Sequence, residues 1–221
     1  MIAFLSDIHG HLAALEAVLE DAHRRGARRF ICLGDVEGDP CLDRLAEVGA
    51  VCVFGNWEVS GWHRCAAHHQ AWIRTWPAVW AEDSWIAAHA SPDWPPEANT
   101  VDATARYQLQ NGLYWLDLFP LMHRDAVARR RALAILETMG ARVAFHGHTH
   151  VQEAWRWRPD GLLERVPDLQ FRVLADGSRY LVGVGSVGSP RDGFGACYAL
   201  WDPAGWVSLV RVPVWTIDRE P

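Results

Sequence analysis

The sequence predicts an α/β fold, and two features of its pattern support this. The first 55 residues alternate short apolar runs with helical spacings, which is the order of βαβ units and of a parallel sheet. After residue 150 the pattern changes to alternating runs separated by turn sequences, which indicates hairpins. With 221 residues, of which 50% are hydrophobic, the chain can bury a substantial core as one domain.

Three strands and two helices are predicted in the first 55 residues. Leucine, valine and alanine at helical spacing predict a helix from about His11 to Arg25, where Gly26 would end it. A second helix is predicted over 40–48. The strands are the apolar runs 2–5, 29–33 and 50–54.

Further along, apolar runs at 85–88 and 141–145 predict two more strands, and the spacing over 124–139 predicts a helix. The segment 93–123 has no regular period and is predicted to be a variable loop or cap. Since there are no repeats and no linker, we predict a single domain over 1–221. The predicted hairpin turns are Pro159-Asp160-Gly161, Ala175-Asp176-Gly177 and Pro203-Ala204-Gly205.

Composition argues against several classes of protein. A formal net charge of −6 argues against a broad nucleic-acid-binding surface, which needs cations opposite the phosphates. No run approaches the roughly 18 apolar residues of a membrane helix, so no membrane contact is expected. The first residues lack the charged start and long apolar stretch of a signal peptide, and the five cysteines have no CxxC spacing, so we expect a cytoplasmic protein with reduced cysteines. We expect a monomer or homodimer.

Polar residues that can bind a metal follow five of the predicted strands. Because parallel strands end at one edge of a sheet, side chains that follow them collect there. The spacing Asp7-x-His9 also directs two side chains of extended chain to the same side. The donors are Asp7, His9, Asp35, Asn56, His89, His148 and His150.

Each donor taken alone has an ordinary explanation. Asp7 could cap the helix that follows it, and His89 could be a buried histidine with a satisfied hydrogen bond. Their shared position after strands favours metal binding instead. Mixed carboxylate, amide and imidazole donors favour Mn, Fe or Zn over Ca. Seven donors exceed one tetrahedral site, which favours two ions sharing a carboxylate, with a single zinc ion as the alternative.

The sequence resembles the calcineurin-like metallophosphoesterase superfamily, in particular its small bacterial predicted phosphodiesterases and phosphatases. The resemblance spans about residues 1–200 and implies two mixed β-sheets packed as a sandwich flanked by helices. It rests on five motifs in the superfamily's order and on the glycine-rich stretch 185–193. The motifs are Asp7-Ile8-His9, Gly34-Asp35, Gly55-Asn56-Trp57-Glu58, His89-Ala90-Ser91-Pro92 and Gly147-His148-Thr149-His150.

The resemblance also implies a reaction and its cofactors. Two divalent ions, expected to be Mn and/or Fe with Zn or Ni as alternatives, would bind a small phosphate ester and activate a bridging hydroxide for attack on phosphorus. The expected substrate is a phosphodiester or nucleotide-type ester. The implied ligands are Asp7, His9 and His150 for one ion, Asn56, His89 and His148 for the other, and Asp35 as the bridge.

Trp57 departs from the superfamily's pattern, because many relatives have histidine at this position as a proton donor to the leaving group. An indole cannot deliver a proton at neutral pH. His11 and His146 are therefore the candidate acids, and Asn56, Arg191 and the amides of 185–188 are candidates for binding phosphate. The alternatives are a phosphomonoesterase, including protein phosphatase activity, and a non-catalytic scaffold, which the complete set of seven donors disfavours.

Other polar residues and the tryptophans receive simpler predictions. His146 is expected to pack beside the site, Glu58 to orient a ligand or a loop, and Arg191 alternatively to pair with Asp192. Trp72 and Trp76 are expected to pack on one helical face, and Trp57 to lie near the substrate. Predicted to be exposed are His23, His63, His68, His69, His123 and the run Arg129–Arg131.

Overall fold

The computed structural model describes residues 1–214, so the end of the predicted domain, 215–221, lies outside the described residues. The strands are β1 (Ile2–Leu5), β2 (Arg29–Cys32), β3 (Val51–Cys52), β4 (Val79–Glu82), β5 (Trp85–Ala88), β6 (Val143–His146), β7 (Gln152–Trp157), β8 (Leu163–Val166), β9 (Gln170–Arg172), β10 (Arg179–Val184), β11 (Ala196–Asp202) and β12 (Trp206–Val212). The helices are α1 (Leu12–Arg24), α2 (Asp39–Glu47), α3 (Asn56–Gly61), α4 (Ala67–Ile73), α5 (Val101–Asn111), α6 (Trp115–Leu118) and α7 (Ala126–Thr138).

The strands form two mixed sheets of six strands each, which confirms the predicted fold class. The first has the order β3-β2-β1-β11-β12-β9 and the second β4-β5-β6-β10-β7-β8. In the first sheet β1, β2 and β3 run parallel, and in the second β5, β6 and β10 do. The remaining pairs are antiparallel, including the predicted hairpins β7–β8 and β11–β12.

Alternation along β1 explains how the layers stack. Successive side chains of a strand point to opposite faces, and all four residues of β1 are buried, so both faces of this strand are covered. Phe4 faces the second sheet, where its ring stacks on Phe145 at 3.9 Å and meets Trp85 at 5.0 Å. Leu5 faces the opposite side and packs with the core residues of α1. The core between the sheets therefore fixes their relative position.

Helices cover the outer faces of the sandwich. On the first sheet α1 buries Leu15 and Val18, and on the second α7 buries Leu133 and Leu136. The predicted bounds of these helices agree with the structure to within two residues. No helix in residues 1–214 has the length and apolar character needed to cross a membrane.

The segment 93–123 is not irregular as predicted, because it contains α5 and α6. Thr100 caps α5 by accepting the Ala103 N–H, and Gly112 ends it in the left-handed conformation. Only Val101 and Thr104 of α5 are buried, so the helix carries almost no apolar period that could have predicted it.

Three predictions of exposure are wrong, and one predicted hairpin does not form. Arg129 is buried: its guanidinium donates to the Met122 carbonyl and lies 4.1 Å from the centre of the Trp155 ring. His69 is also buried, and His123 is half-buried. The turn 175–177 forms no hairpin, because it joins β9 in one sheet to β10 in the other.

Candidate metal centre

All seven predicted donors lie at the edge of the sandwich where the parallel strands of both sheets end. Strands β1, β2 and β3 bring three loops to this edge from the first sheet, and β5 and β6 bring two from the second. The side-chain atoms of these donors form two groups in close contact. One group is Asp7, His9 and His150, and the other is Asp35, Asn56, His89 and His148.

Unusual backbone conformations are concentrated at this edge. Six non-glycine residues between 1 and 214 have a positive φ, and each costs about 1–2 kcal/mol in the left-handed region. Strain of this kind clusters at functional sites. Five of the six are predicted donors, and Glu37 is the sixth. Their φ values are 55° for Asp7, 48° for His9, 54° for Asp35, 53° for Glu37, 62° for His148 and 59° for His150.

Two glycines allow the loops to approach one another. A Cβ on Gly147 would collide with the Ser6 side chain, and one on Gly55 would collide with a carboxylate oxygen of Asp35. The loops are also joined by a hydrogen bond of 2.9 Å from the His148 backbone N–H to Asp7 Oδ2. The motif glycines are thus required by close packing between strand ends.

In the first group, hydrogen bonds at Nδ1 orient the rings of His9 and His150 so that their Nε2 atoms point toward each other. The Nδ1 atom of His9 lies 2.8 Å from Glu37 Oε1, and that of His150 lies 2.6 Å from the Ser189 carbonyl. Both acceptors require Nδ1–H, so each neutral ring presents a lone pair at Nε2. The two Nε2 atoms are 3.2 Å apart, and Asp7 Oδ1 is 3.2 Å from His150 Nε2.

Three lone-pair atoms in contact repel one another unless a cation lies between them. Donors around a transition-metal ion with bonds near 2.1 Å are spaced by about 3.0–3.5 Å. Two of the three spacings in the first group fall in this range, and the third, from His9 Nε2 to Asp7 Oδ1, is slightly longer at 3.9 Å. The residues present therefore fit a divalent metal ion.

The second group is arranged in the same way. His89 donates Nδ1–H to the Leu33 carbonyl at 2.6 Å, which leaves its Nε2 as a lone pair. Around this Nε2 lie His148 Nδ1 and Asn56 Oδ1, each at 3.2 Å, and Asp35 Oδ2 at 3.5 Å. The two groups adjoin at Asp35, because ligand atoms of Asp7, Asp35 and His89 all lie within 4.8 Å of one another.

The charges at this edge lead to the same conclusion. Asp7 and Asp35 are 0% and 3% exposed, and their only ion-pair partners within the described chain are histidines. Two buried carboxylates without a fixed cation are costly, and a bound metal ion removes that cost.

A sequence profile of the calcineurin-like phosphoesterase superfamily domain matches residues 1–204. The chain belongs to this superfamily. Its members use divalent metal ions to hydrolyse phosphate esters, so the predicted class of enzyme, a hydrolase acting on phosphate ester bonds, is confirmed.

Three other proteins are similar to this chain in sequence or in fold. An uncharacterised protein from Methanocaldococcus jannaschii is 26% identical in an alignment that covers 96% of this chain and 87% of the relative. The crystal structure of a metallophosphoesterase from Sphaerobacter thermophilus is 26% identical with a TM-score of 0.68, covering 96% of this chain and 87% of that one. A hypothetical protein from Pyrococcus horikoshii shares the fold at 14% identity and a TM-score of 0.60, over 96% and 88% of the two chains.

Burial and mutual charge shift the pKa values of the phosphoesterase's acidic residues. Burial and the charge of Asp7 raise the pKa of Asp35 to about 7. Burial also opposes ionisation of Asp7, but the hydrogen bond with His150 and the charges of His89 and His150 outweigh it and lower the Asp7 pKa. Shifts of this size cluster at functional sites, and a bound cation favours the ionised form of both groups.

Glu58 positions two of the loops, as predicted. It is fully buried, and its two oxygens accept the backbone N–H groups of Asp35, Val36 and Gly55 at 2.7–2.9 Å. Burial and the charge of Asp35 raise its pKa to about 7, against these three hydrogen bonds. Glu58 thereby ties the loop after β2 to the start of α3.

The structure places the other predicted site residues around the donors. Asn56 and Asp35 are in the second group. The exposed His11 ring lies against Gly188, at the margin of the site. The Arg191 side chain is exposed, and its backbone N–H donates to the His150 carbonyl, while Asp192 pairs with Arg211 instead.

The structure contradicts the amides of Val187 and Gly188 as phosphate donors, whereas the position of Trp57 near a substrate stays a prediction. The amides of Val187 and Gly188 donate to the carbonyls of Ser6 and Asp7, so they are not free to bind phosphate. The Trp57 ring packs on Gly61 of its own helix, although its backbone N–H donates to Asp35 Oδ1 at 2.8 Å.

His146 and the paired tryptophans behave as predicted. Burial lowers the pKa of His146 to about 4, so the ring is neutral, and it packs beside Gly183. The Trp72 and Trp76 rings contact edge to face at 5.0 Å, and Trp76 is buried.

Sequence reasoning missed two residues at the centre. Glu37 holds the His9 ring, and its position two residues after Asp35 repeats the Asp7-x-His9 spacing, which could have identified it. Trp115 on α6 is 48% exposed, and its ring lies 5.3 Å from that of His148. Trp115 carries no signal in the sequence, because α6 lies in the segment predicted to be irregular.

Proposed function

We propose that this protein is a dinuclear metal-dependent phosphodiesterase. The position of Asp35 carries the proposal: its carboxylate adjoins both donor groups, as a shared ligand must. Asp7, His9 and His150 would hold one ion, and Asn56, His89 and His148 the other. The mixed nitrogen and oxygen donors favour Mn or Fe, with Zn and Ni as alternatives.

Two divalent ions, when bound, supply charge that neutralises the phosphate and lower the pKa of water so that it can attack phosphorus. The protein contributes the orientation of the ligands. Glu37, Leu33 and Ser189 accept the Nδ1–H groups of three histidines, which keeps each Nε2 available for a metal. Arg191, on the loop that borders His150, offers a cation for a phosphate oxygen.

The surroundings of the centre favour a phosphate ester whose leaving group needs little help from an acid. No proton donor follows Asn56, because Trp57 replaces the histidine and its ring packs on Gly61, and the exposed His11 is the remaining candidate acid. A substrate with a good leaving group depends least on such an acid. Trp115 supports an aromatic substituent, since its half-exposed ring beside His148 can stack on an aryl group or a base.

Turnover of an aryl phosphodiester and of the matching aryl phosphomonoester in the presence of Mn tests the proposal. We expect faster turnover of the diester and two ions per chain. Asp35→Asn should reduce the rate by about a hundredfold or more and reduce the metal content, because the shared charge is lost. Asp83→Asn, at an exposed position in the turn between β4 and β5, is the control. One ion per chain in the wild type, or faster turnover of the monoester, would overturn the proposal.

A further inference from the structure

A second cluster of imidazoles and carboxylates joins α2 to α4, away from the donors of the main centre. Its central residue, His69, is 2% exposed. Its Nδ1 lies 2.6 Å from Asp39 Oδ1 and its Nε2 lies 3.0 Å from Asp43 Oδ1. His68, the preceding residue, directs its own Nε2 to the same oxygen of Asp43 at 3.8 Å.

His69 cannot satisfy both carboxylates as a neutral ring. Neutral imidazole has one N–H and one lone pair, so it can donate to only one of its two neighbours. The other carboxylate then faces a lone pair across about a hydrogen-bond distance. A metal ion at that nitrogen would turn this contact into a favourable one.

Asp39 decides which nitrogen is free. Asp39 Oδ1 also accepts the backbone N–H of Ala66 at 2.9 Å, which holds this carboxylate in place. Its contact with His69 Nδ1, at 2.6 Å, is shorter than the contact between Asp43 and His69 Nε2, at 3.0 Å. When His69 donates Nδ1–H to Asp39, the lone pair at its Nε2 points to Asp43 Oδ1, the oxygen that His68 Nε2 also approaches. A carboxylate that orients a histidine for a metal on its other nitrogen is the common arrangement around bound ions.

We propose that Asp43, His68 and His69 bind a zinc ion, with Asp39 orienting His69. One ligand atom from each of the three lies within 4.8 Å of the others, so a modest rotation of the exposed His68 side chain completes the set. Two imidazole nitrogens and one carboxylate oxygen suit Zn better than Ca or Mg. The side chains of Asp43 and His68 are 60% and 71% exposed, which leaves the fourth position open to water.

An ion at this cluster would join two segments that lead away from the main centre. Helix α2 begins shortly after Asp35 and Glu37, and α4 follows the helix that Asn56 begins. The zinc ion would therefore stabilise the packing of α2 on α4. It has no part in turnover, because its ligands are separate from the seven donors.

The number of zinc ions bound at a free concentration set by a competing chelator tests the proposal. The wild type should bind one ion more than His68→Ala, and His23→Ala, which removes an exposed histidine on α1, should match the wild type. This difference of one does not depend on how many ions the main centre holds, so it separates this site from the proposed function. Asp43→Ala, also at an exposed position, should lose the same ion.

Thermal unfolding supplies a second readout. Zinc should raise the Tm of the wild type by more than it raises that of His68→Ala, while turnover of the two proteins stays equal. Equal zinc content in the wild type, His68→Ala and Asp43→Ala would overturn the proposal.

Discussion

Replacing Glu37 tests whether its contact with His9 strengthens metal binding by the first donor group. Glu37 Oε1 accepts the Nδ1–H of His9 at 2.8 Å, and the two side chains are 35% and 24% exposed. Replacing Glu37 by Ala removes this acceptor but retains the Cβ, so the left-handed backbone at this position is not relaxed as it would be by glycine. The His9 ring then loses the contact that fixes its tautomer and direction.

Glu37→Ala should weaken the binding of one metal ion only, the ion bound by Asp7, His9 and His150. Removal of an acceptor behind a metal-binding histidine typically costs 10–100-fold in metal affinity, which is about 1.4–2.7 kcal/mol. Glu37→Gln keeps an oxygen acceptor without the charge, and hydrogen bonds to neutral groups are about half as strong as those to charged groups. The loss of metal affinity in Glu37→Gln should therefore be smaller than in Glu37→Ala. Affinity at the second group should not change, because His89 is oriented by the Leu33 carbonyl instead.

Calorimetric titration of metal-free protein with Mn measures both binding steps. Glu20→Ala, on the exposed side of α1, is a matched control and should give the wild-type titration. Unchanged affinities in Glu37→Ala would show that this contact does not prepare His9 for a metal. Equal losses at both steps would contradict the division of the donors into two groups.

Three further changes test other parts of the structure. Glu58→Gln should lower the free energy of unfolding by about 1–3 kcal/mol, because the NH2 group of the glutamine would face one of the three backbone N–H groups that Glu58 now accepts. An unchanged unfolding curve in denaturant would contradict this. Trp115→Ala should raise the KM for an aryl diester about tenfold, which is the typical effect of losing one stacking interaction. Inhibition by inorganic phosphate should not change. An unchanged KM would show that Trp115 does not contact the substrate. Burial opposes ionisation of Asp21, but hydrogen bonds from Tyr198 and Arg25 outweigh it and hold the Asp21 pKa below 3.8. The ionised Asp21 carboxylate therefore stabilises the fold fully above pH 3.8, and this stabilisation is lost as the pH falls through the pKa of Asp21 in the folded protein. The difference in unfolding free energy between the wild type and Asp21→Asn should therefore shrink below pH 3.8, and urea unfolding showing a constant difference would exclude the effect.

Local pattern was sufficient to predict β1, β2, β3, β5, β6, α1 and α7, and to place the seven donors after strands. A buried strand needs only a short apolar run, and α1 and α7 each present an apolar face with a period that sequence spacing reveals. The donors follow strands directly, so the rule that parallel strands end at one edge was sufficient to bring them together. Glu58 was also recognisable from its place in a motif.

Contacts between distant segments required the tertiary structure. His69 was predicted to be exposed because its sequence neighbours are polar, and only the packing of α4 on α2 buries it between Asp39 and Asp43. Arg129 is buried for a similar reason, since Trp155 comes from another element.

The amino-acid sequence by itself determined the class of fold, the superfamily and the side chains that can bind metal. Only the folded chain decided which nitrogen of each histidine is free, because that depends on acceptors such as the carbonyls of Leu33 and Ser189, which every residue possesses and no sequence pattern reveals. It also decided that the Trp57 ring turns onto Gly61 while Trp115 stands beside His148, since the direction of a side chain follows from its packing.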